Sequence, residues 1–95
     1  MKANSRHTIS FIKEATKKMA SRPSPNSWPK FPFLPMKRWK GDNLECGLIW
    51  AIGSQLVIYE CNLFLVPHSV SEFQKLAKWK YDSFDEMVDS GWVVD

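Results

Sequence analysis

Residues 44–66, LECGLIWAIGSQLVIYECNLFLV, decide the fold. Two apolar runs rich in β-branched and aromatic residues, Leu44–Ile52 and Gln55–Val66, flank the dipeptide Gly53-Ser54. Runs of this kind bounded by turn residues read as strands, and Gly followed by Ser suits a two-residue type II′ hairpin turn. Such a turn makes opposed residue numbers sum to 107, so Ile52 faces Gln55, Trp50 faces Val57, Leu48 faces Tyr59, Cys46 faces Cys61 and Leu44 faces Leu63. One face then holds Leu44, Cys46, Leu48, Trp50, Ile52, Val57, Tyr59, Cys61, Leu63 and Leu65, all apolar or aromatic. The other mixes Glu45, Gly47, Ile49, Ala51, Leu56, Ile58, Glu60, Asn62 and Phe64. A slip of one residue would carry Glu45 and Glu60 onto the apolar face, so pattern and turn specify the same register.

Working outward, Met36–Trp39 reads as a third strand, joined through the Lys40-Gly41-Asp42-Asn43 turn, which sets Arg38 opposite Glu45. Pro67 stops the second hairpin strand. Two capping boxes follow. Ser69-x-x-Glu72 predicts a helix over 70–80 with Val70, Phe73, Leu76 and Ala77 on one face. Ser83-x-x-Glu86 predicts a short helix with Phe84, Met87 and Val88, ended by Gly91. Trp92-Val93-Val94 reads as a last short strand for a sheet edge. The phrase from Tyr81 to Trp92 (short helix, Gly, Trp entering a strand) is generic and assigns no family.

Upstream, Ile9, Ile12, Ala15, Thr16 and Met19 follow helical spacing and predict an amphipathic helix over 8–20, capped by Ser5 or Thr8. Its apolar stripe is narrow, so it needs the body or a partner for stability. Between helix and strands, Pro29, Pro32 and Pro35 recur every third residue, the polyproline II period, which lines Trp28, Phe31 and Leu34 along one face. The expected fold is therefore α+β. It has an antiparallel sheet of three to four strands with a central hairpin (44–52/55–66), C-terminal helices on one face, and an N-terminal basic helix. The chain divides into a basic arm, 1–22, a Pro-rich aromatic connector, 23–35, and an α+β core domain, 36–95. The mixed hairpin face, with Ile49, Leu56, Ile58 and Phe64, also needs cover, and the connector and the N-terminal helix are the segments available for it.

Charge is split along the chain. Residues 1–40 carry ten Lys or Arg against one acid, Glu14, whereas residues 41–95 carry three Lys against nine acids. A basic arm on an acidic body either holds an anionic partner or folds back on the body. Thirteen aromatics, five of them Trp, offset the thin core of a 95-residue chain. The longest apolar run, Leu48–Ile52, is far short of the roughly 20 residues of a transmembrane helix. Two cysteines make no disulfide framework, so a reducing, cytoplasmic setting is the default. The acid-poor, Ser/Thr-containing segment 1–22 also fits an organellar transit segment, which leaves that location as the alternative.

These residues give a short set of site hypotheses. Lys13, Lys17, Lys18, Lys30, Lys37 and Arg38, interleaved with Trp28, Phe31 and Trp39, have the composition that binds phosphates and stacks unpaired bases. An acidic protein surface suits them equally, and their plain reading is a solvated helix face with aromatics packed on the domain itself. Pro32-Phe33-Leu34-Pro35-Met36-Lys37 matches the P-x-x-P-x-K form of SH3 ligands, though its apolar residues also suit burial. Cys46 and Cys61 are either a redox pair or two reduced core cysteines. No C-x-x-C accompanies His7 or His68, so no metal and no cofactor is expected. His68 beside Cys61 has no third group to orient it, and the acids Asp82, Asp85, Glu86 and Asp89 lack EF-hand spacing. Without a phosphate-binding glycine loop, H-E-x-x-H or G-x-S-x-G, catalysis is not expected. The function expected is a small interaction module whose basic arm contacts an anionic partner, nucleic acid or acidic protein. The alternatives are a structural subunit of a homo- or hetero-oligomeric assembly, its arm closing its own core, and a cysteine-based redox protein.

Overall fold

The computed structural model describes residues 2–95, with side chains from Ser10 onward. The caps expected at Ser5 or Thr8, the stripe residue Ile9 and the metal candidate His7 lie outside the described side chains. Helix α1 spans Lys2–Ala20 and starts earlier than its periodicity predicts, because neither Pro nor Gly interrupts residues 2–20. Then follow β1 (Phe33–Lys40), β2 (Asn43–Trp50), β3 (Val57–Tyr59), a 3-10 turn at Leu63–Leu65, α2 (Val70–Gln74), β4 (Ala77–Lys80), α3 (Phe84–Asp89) and β5 (Val93–Val94). The fold is small α+β, and its five antiparallel strands lie in the order β4-β3-β2-β1-β5.

The best-formed hairpin is β1–β2, paired from Phe33↔Trp50 through Arg38↔Glu45 to Lys40↔Asn43. Gly41 occupies the first central position of its two-residue loop at φ 62, which only glycine adopts without steric cost. The turn expected at Lys40-Gly41-Asp42-Asn43 is thus present, whereas the tight turn expected at Gly53-Ser54 is not. Gly53 keeps φ out of the positive range, which excludes type II′ there. Residues 51–56 form a wider loop instead. The Gln55 side-chain amide donates to the carbonyls of Trp50, Ala51 and Gly53, and Ala51 N–H donates to Pro32 O rather than across to β3. The expected register survives at Leu48↔Tyr59. The strand expected over 55–66 is cut to Val57–Tyr59, because Glu60 N–H turns to Leu76 O and the Asn62 side chain accepts from Phe64 N–H to cap the 3-10 turn. Asn offers the backbone a local alternative to the ladder, and here it wins.

The helix expected over 70–80 also stops short. Ser69 caps α2 as predicted, accepting from Glu72 N–H at 3.1 Å. After Lys75 the chain becomes β4, pairing Ile58↔Trp79 and Tyr59↔Ala77 with a bulge between. Trp79 alternates inward between outward-pointing Lys78 and Lys80, and β3 supplies an open edge. Tertiary pairing therefore overrides helical spacing. Ser83 caps α3 in the same way, Glu86 reaches back to Asp82 N–H, and Gly91 at φ 107 lets the chain leave toward β5.

Strand alternation gives the sheet two apolar faces. Leu48 and Tyr59 point to the front, where Phe73 of α2 covers them together with Cys61. Leu34, Met36, Ile49 and Ile58 point to the back, where they pack with Ala20, Trp28, Met87 and Trp92. The mixed face is thus the larger core, and α1 and the connector take part in its cover. The two C-terminal helices lie on opposite faces rather than on one. Gly47 makes the back face possible, since a Cβ there would collide with Ile58 Cγ2 and lie 3.1 Å from Tyr59 O.

The connector is not polyproline II. Turns joined by Trp28 N–H→Ser24 O, Phe31 N–H→Trp28 O and Phe33 N–H→Lys30 O replace it. Trp28 drives this arrangement: its ring is fully buried and its Nε1 donates to Met19 O at 2.7 Å, satisfying a carbonyl at the C-terminal end of α1. From Phe33 on, the P-x-x-P-x-K segment lies in β1 between two strands with Leu34 and Met36 buried, a setting that an SH3 ligand does not share.

Candidate functional site

The sequence-predicted cations separate into two groups. On α1, Lys13 Nζ lies 3.2 Å from Asp89 Oδ1, and Lys17 Nζ lies 2.6 Å from both Asp85 Oδ1 and Glu14 Oε2. The spacing of four residues on both helices makes α1 and α3 an antiparallel pair with a two-rung ionic ladder. The hydrogen bond to Asp85, then that to Glu14, holds the Lys17 ammonium above its ordinary pKa. The ladder flanks the face of the helix that is buried. Thr16 and Ala20 are buried with Lys13 and Lys17 beside them, while Ile12, expected on the buried stripe, is exposed. Thr16 Oγ1 accepts from Val94 N–H at 3.4 Å.

Arg38 is likewise internal. Its Nη2 and Nε meet Glu45 Oε1 at 2.7 and 2.8 Å, and its guanidinium lies 4.7 Å from the Trp92 ring centroid and 5.4 Å from that of Trp79. Only 12% of its side chain is exposed. The two rings meet edge to face at 4.9 Å, so the planar cation lies against the pair, closer to Trp92, with a carboxylate at its fork, and is a packing element. Lys37 faces Asp95 at 3.6 Å.

Among the described residues Lys18, Arg22, Lys30, Lys40 and Lys80 form no ion pair. Lys18 and Arg22, four residues apart, line a groove of about 620 Å³ with Phe11, Ala15, Ser21, Phe84 and the ion pair Glu14–Lys17. Phe11 is 75% exposed. Phe11, Arg22 and Phe84 are absent from the sequence-derived set. Arg22 was legible as the i+4 neighbour of Lys18, but Phe11 falls outside the apolar stripe and only the orientation of α1 reveals it.

The aromatics do not form one stacking platform. Trp28 is core, Phe31 tilts against it at 6.3 Å, and Trp39 stands 65% exposed on the front face opposite Leu44. Cys46 is exposed and Cys61 buried, both as free thiols, and desolvation pushes the Cys61 thiol above its ordinary pKa. Both line a cavity of about 470 Å³. His68 is exposed in the loop before α2. Asp85 and Asp89, read from the sequence as a solvated acidic face, serve as the counter-ions of α1. Among the described residues no three His, Cys, Asp or Glu side chains gather as a metal site, and no helix is long and apolar enough to cross a membrane. No family model, curated protein or solved structure matches the chain.

Proposed function

We propose that this chain is a non-enzymatic interaction module that holds an acidic amphipathic segment of a partner protein in the groove along α1. The observation that carries the reading is the meeting of the unpaired cations Lys18 and Arg22 with exposed Phe11 and half-buried Phe84 around one groove. Cations flanking an apolar floor match a helix that presents carboxylates beside leucines. Nucleic acid fits less well, because Lys13, Lys17 and Arg38 are engaged internally and Trp28 offers no face for stacking.

The test is fluorescence anisotropy of the 95-residue chain with two probes, a synthetic Glu/Leu amphipathic helix and a single-stranded oligonucleotide, over a salt series. The expected result is peptide binding that both F11A and K18E/R22E weaken. Oligonucleotide binding with a steep salt slope, lost in K18E/R22E and indifferent to F11A, transfers the reading to nucleic acid. Binding of neither probe rejects the groove.

A second reading, a structural subunit of a larger assembly, is supported by the closure of the core by α1 and by the bare side chains of Phe64 and Leu65, 90% and 75% exposed. Concentration-dependent sedimentation of the full chain that F64S abolishes is its expected signature.

A further inference from the structure

The front of the sheet is covered only in part. Phe73 shields Leu48 and Tyr59, but β3 ends at Tyr59, so the first half of β2 loses its neighbour on that side. At the opposite edge β5 pairs with β1 at Met36 and Lys37, and Asp95 N–H donates to Pro35 O. A cavity of about 470 Å³ opens around Pro35 and Leu48, with Leu63 and Phe64 among its walls. Its size falls in the range of about 300–1,000 Å³ typical of small-ligand sites.

Two features define its chemistry. The walls are mainly hydrocarbon, and Phe64 is left 90% exposed with nothing from this chain over it. The charged residues that line it are Asp95 and Lys30. Asp95 already has Lys37 as its partner, whereas Lys30 has none among the described residues. The site is therefore an apolar chamber with one uncompensated cation. We infer that this cavity binds a medium-chain alkyl carboxylate, the chain against Pro35, Leu48 and Leu63 and the carboxylate on the Lys30 ammonium. A cation on a flexible stem meets a carboxylate as a point charge, so the head group gains attraction without demanding a fixed geometry. This inference is independent of the groove along α1, which shares none of these residues.

The test uses the full chain with octanoate, decanoate and decylamine as probes. Binding is read by calorimetry, and by the rate at which N-ethylmaleimide alkylates Cys46, an exposed thiol in the cavity wall. Decanoate is expected to slow alkylation of Cys46 and to bind more tightly than octanoate, by about fourfold for each further buried methylene. K30Q is expected to weaken decanoate by roughly tenfold, the loss of one charge-assisted contact, and decylamine to bind by about that factor more weakly than decanoate. L63W narrows the chamber and is expected to abolish binding in a variant whose melting confirms that it is folded. Because Lys30 is exposed, K30Q keeps the test decisive even where L63W does not fold. Equal affinity for decanoate and decylamine, an unchanged alkylation rate, or decanoate binding that survives both substitutions overturns the assignment. Self-association that buries Phe64 and protects Cys46 without ligand overturns it as well, in favour of a second copy of the chain.

Discussion

Lys17 of α1 and Asp85 of α3, 68 residues apart in the chain, meet at 2.6 Å. With Lys13 and Asp89 one turn along, the contact borders the side of the basic helix, Thr16 and Ala20, that faces inward. The positive arm and the acidic C-terminal half thus complement each other within one molecule. On this face, among the described residues, Lys18 and Arg22 are cations that form no ion pair.

The ladder predicts non-additive charge reversal. K17E and D85K each place like charges together and are expected to lower the melting temperature, while K17E/D85K recovers part of the loss, since Glu14 still faces position 17. Thermal melts as a double-mutant cycle measure the coupling, and high salt should shrink it. The pH dependence has a fixed sign. The folded pKa of Lys17 lies above its ordinary 10.5, so its contribution is complete below that value and declines as pH rises through the higher folded one.

Arg38 predicts a different penalty. R38K keeps the charge but loses the fork on Glu45 and the planar contact with the Trp92 and Trp79 rings, and is expected to cost about 1.5–3 kcal/mol. Urea unfolding checks the value. A cost equal to that of a surface Lys substitution elsewhere would show that the guanidinium plane is irrelevant. Gly91 shares this neighbourhood, since a Cβ there would lie 3.2 Å from Arg38 Cγ.

Gly47 tests the packing of the back face. G47A drives its methyl into Ile58 Cγ2 and is expected to destabilise the fold by about 1–3 kcal/mol. Ile58→Leu removes that branch at constant volume, so G47A/I58L should recover part of the loss. Failure of the double variant to exceed G47A in stability would place the cost in the backbone beside Tyr59 O.

Deletion of residues 1–22 removes Thr16, Met19 and Ala20 and uncovers Trp28. The truncated chain is expected to lose cooperative unfolding and bind hydrophobic dyes. A sharp melt close to that of the full chain would mean that the sheet and α3 suffice. W28F is the milder probe. It forfeits the hydrogen bond to Met19 O and part of the ring, at an expected cost of about 1–3 kcal/mol by chemical denaturation.

The cysteines predict unequal reactivity. Cys46 is expected to react with maleimide in the folded protein at near-peptide rates. Cys61 should react only on unfolding, because its thiol is buried and desolvation disfavours the thiolate. Mass spectrometry of the labelled peptides separates the two.

Local chemistry made much of this fold readable. Ser69 and Ser83 cap helices because their hydroxyls reach backbone N–H groups three residues on, whatever the surroundings. Arg38 faces Glu45 because Gly41-Asp42 allows a two-residue turn, and Leu48 faces Tyr59 because alternation forbids a slip. The antiparallel α+β class follows from these elements. Where two local solutions compete, the sequence leaves the outcome open. Residues 77–80 continue a helical stripe as well as they alternate, and only the free edge of β3 selects the strand. Residues 60–66 are apolar enough for a strand, yet Asn62 offers a cap and Leu76 a rival hydrogen-bond partner. The candidate sites depend still more on distance in space. Lys13, Lys17 and Lys18 are equivalent in sequence; Asp85 and Asp89 engage the first two and leave the third exposed. Charge composition and strand alternation are properties of the chain alone, but pairing depends on which distant groups the folded backbone brings within a few ångströms.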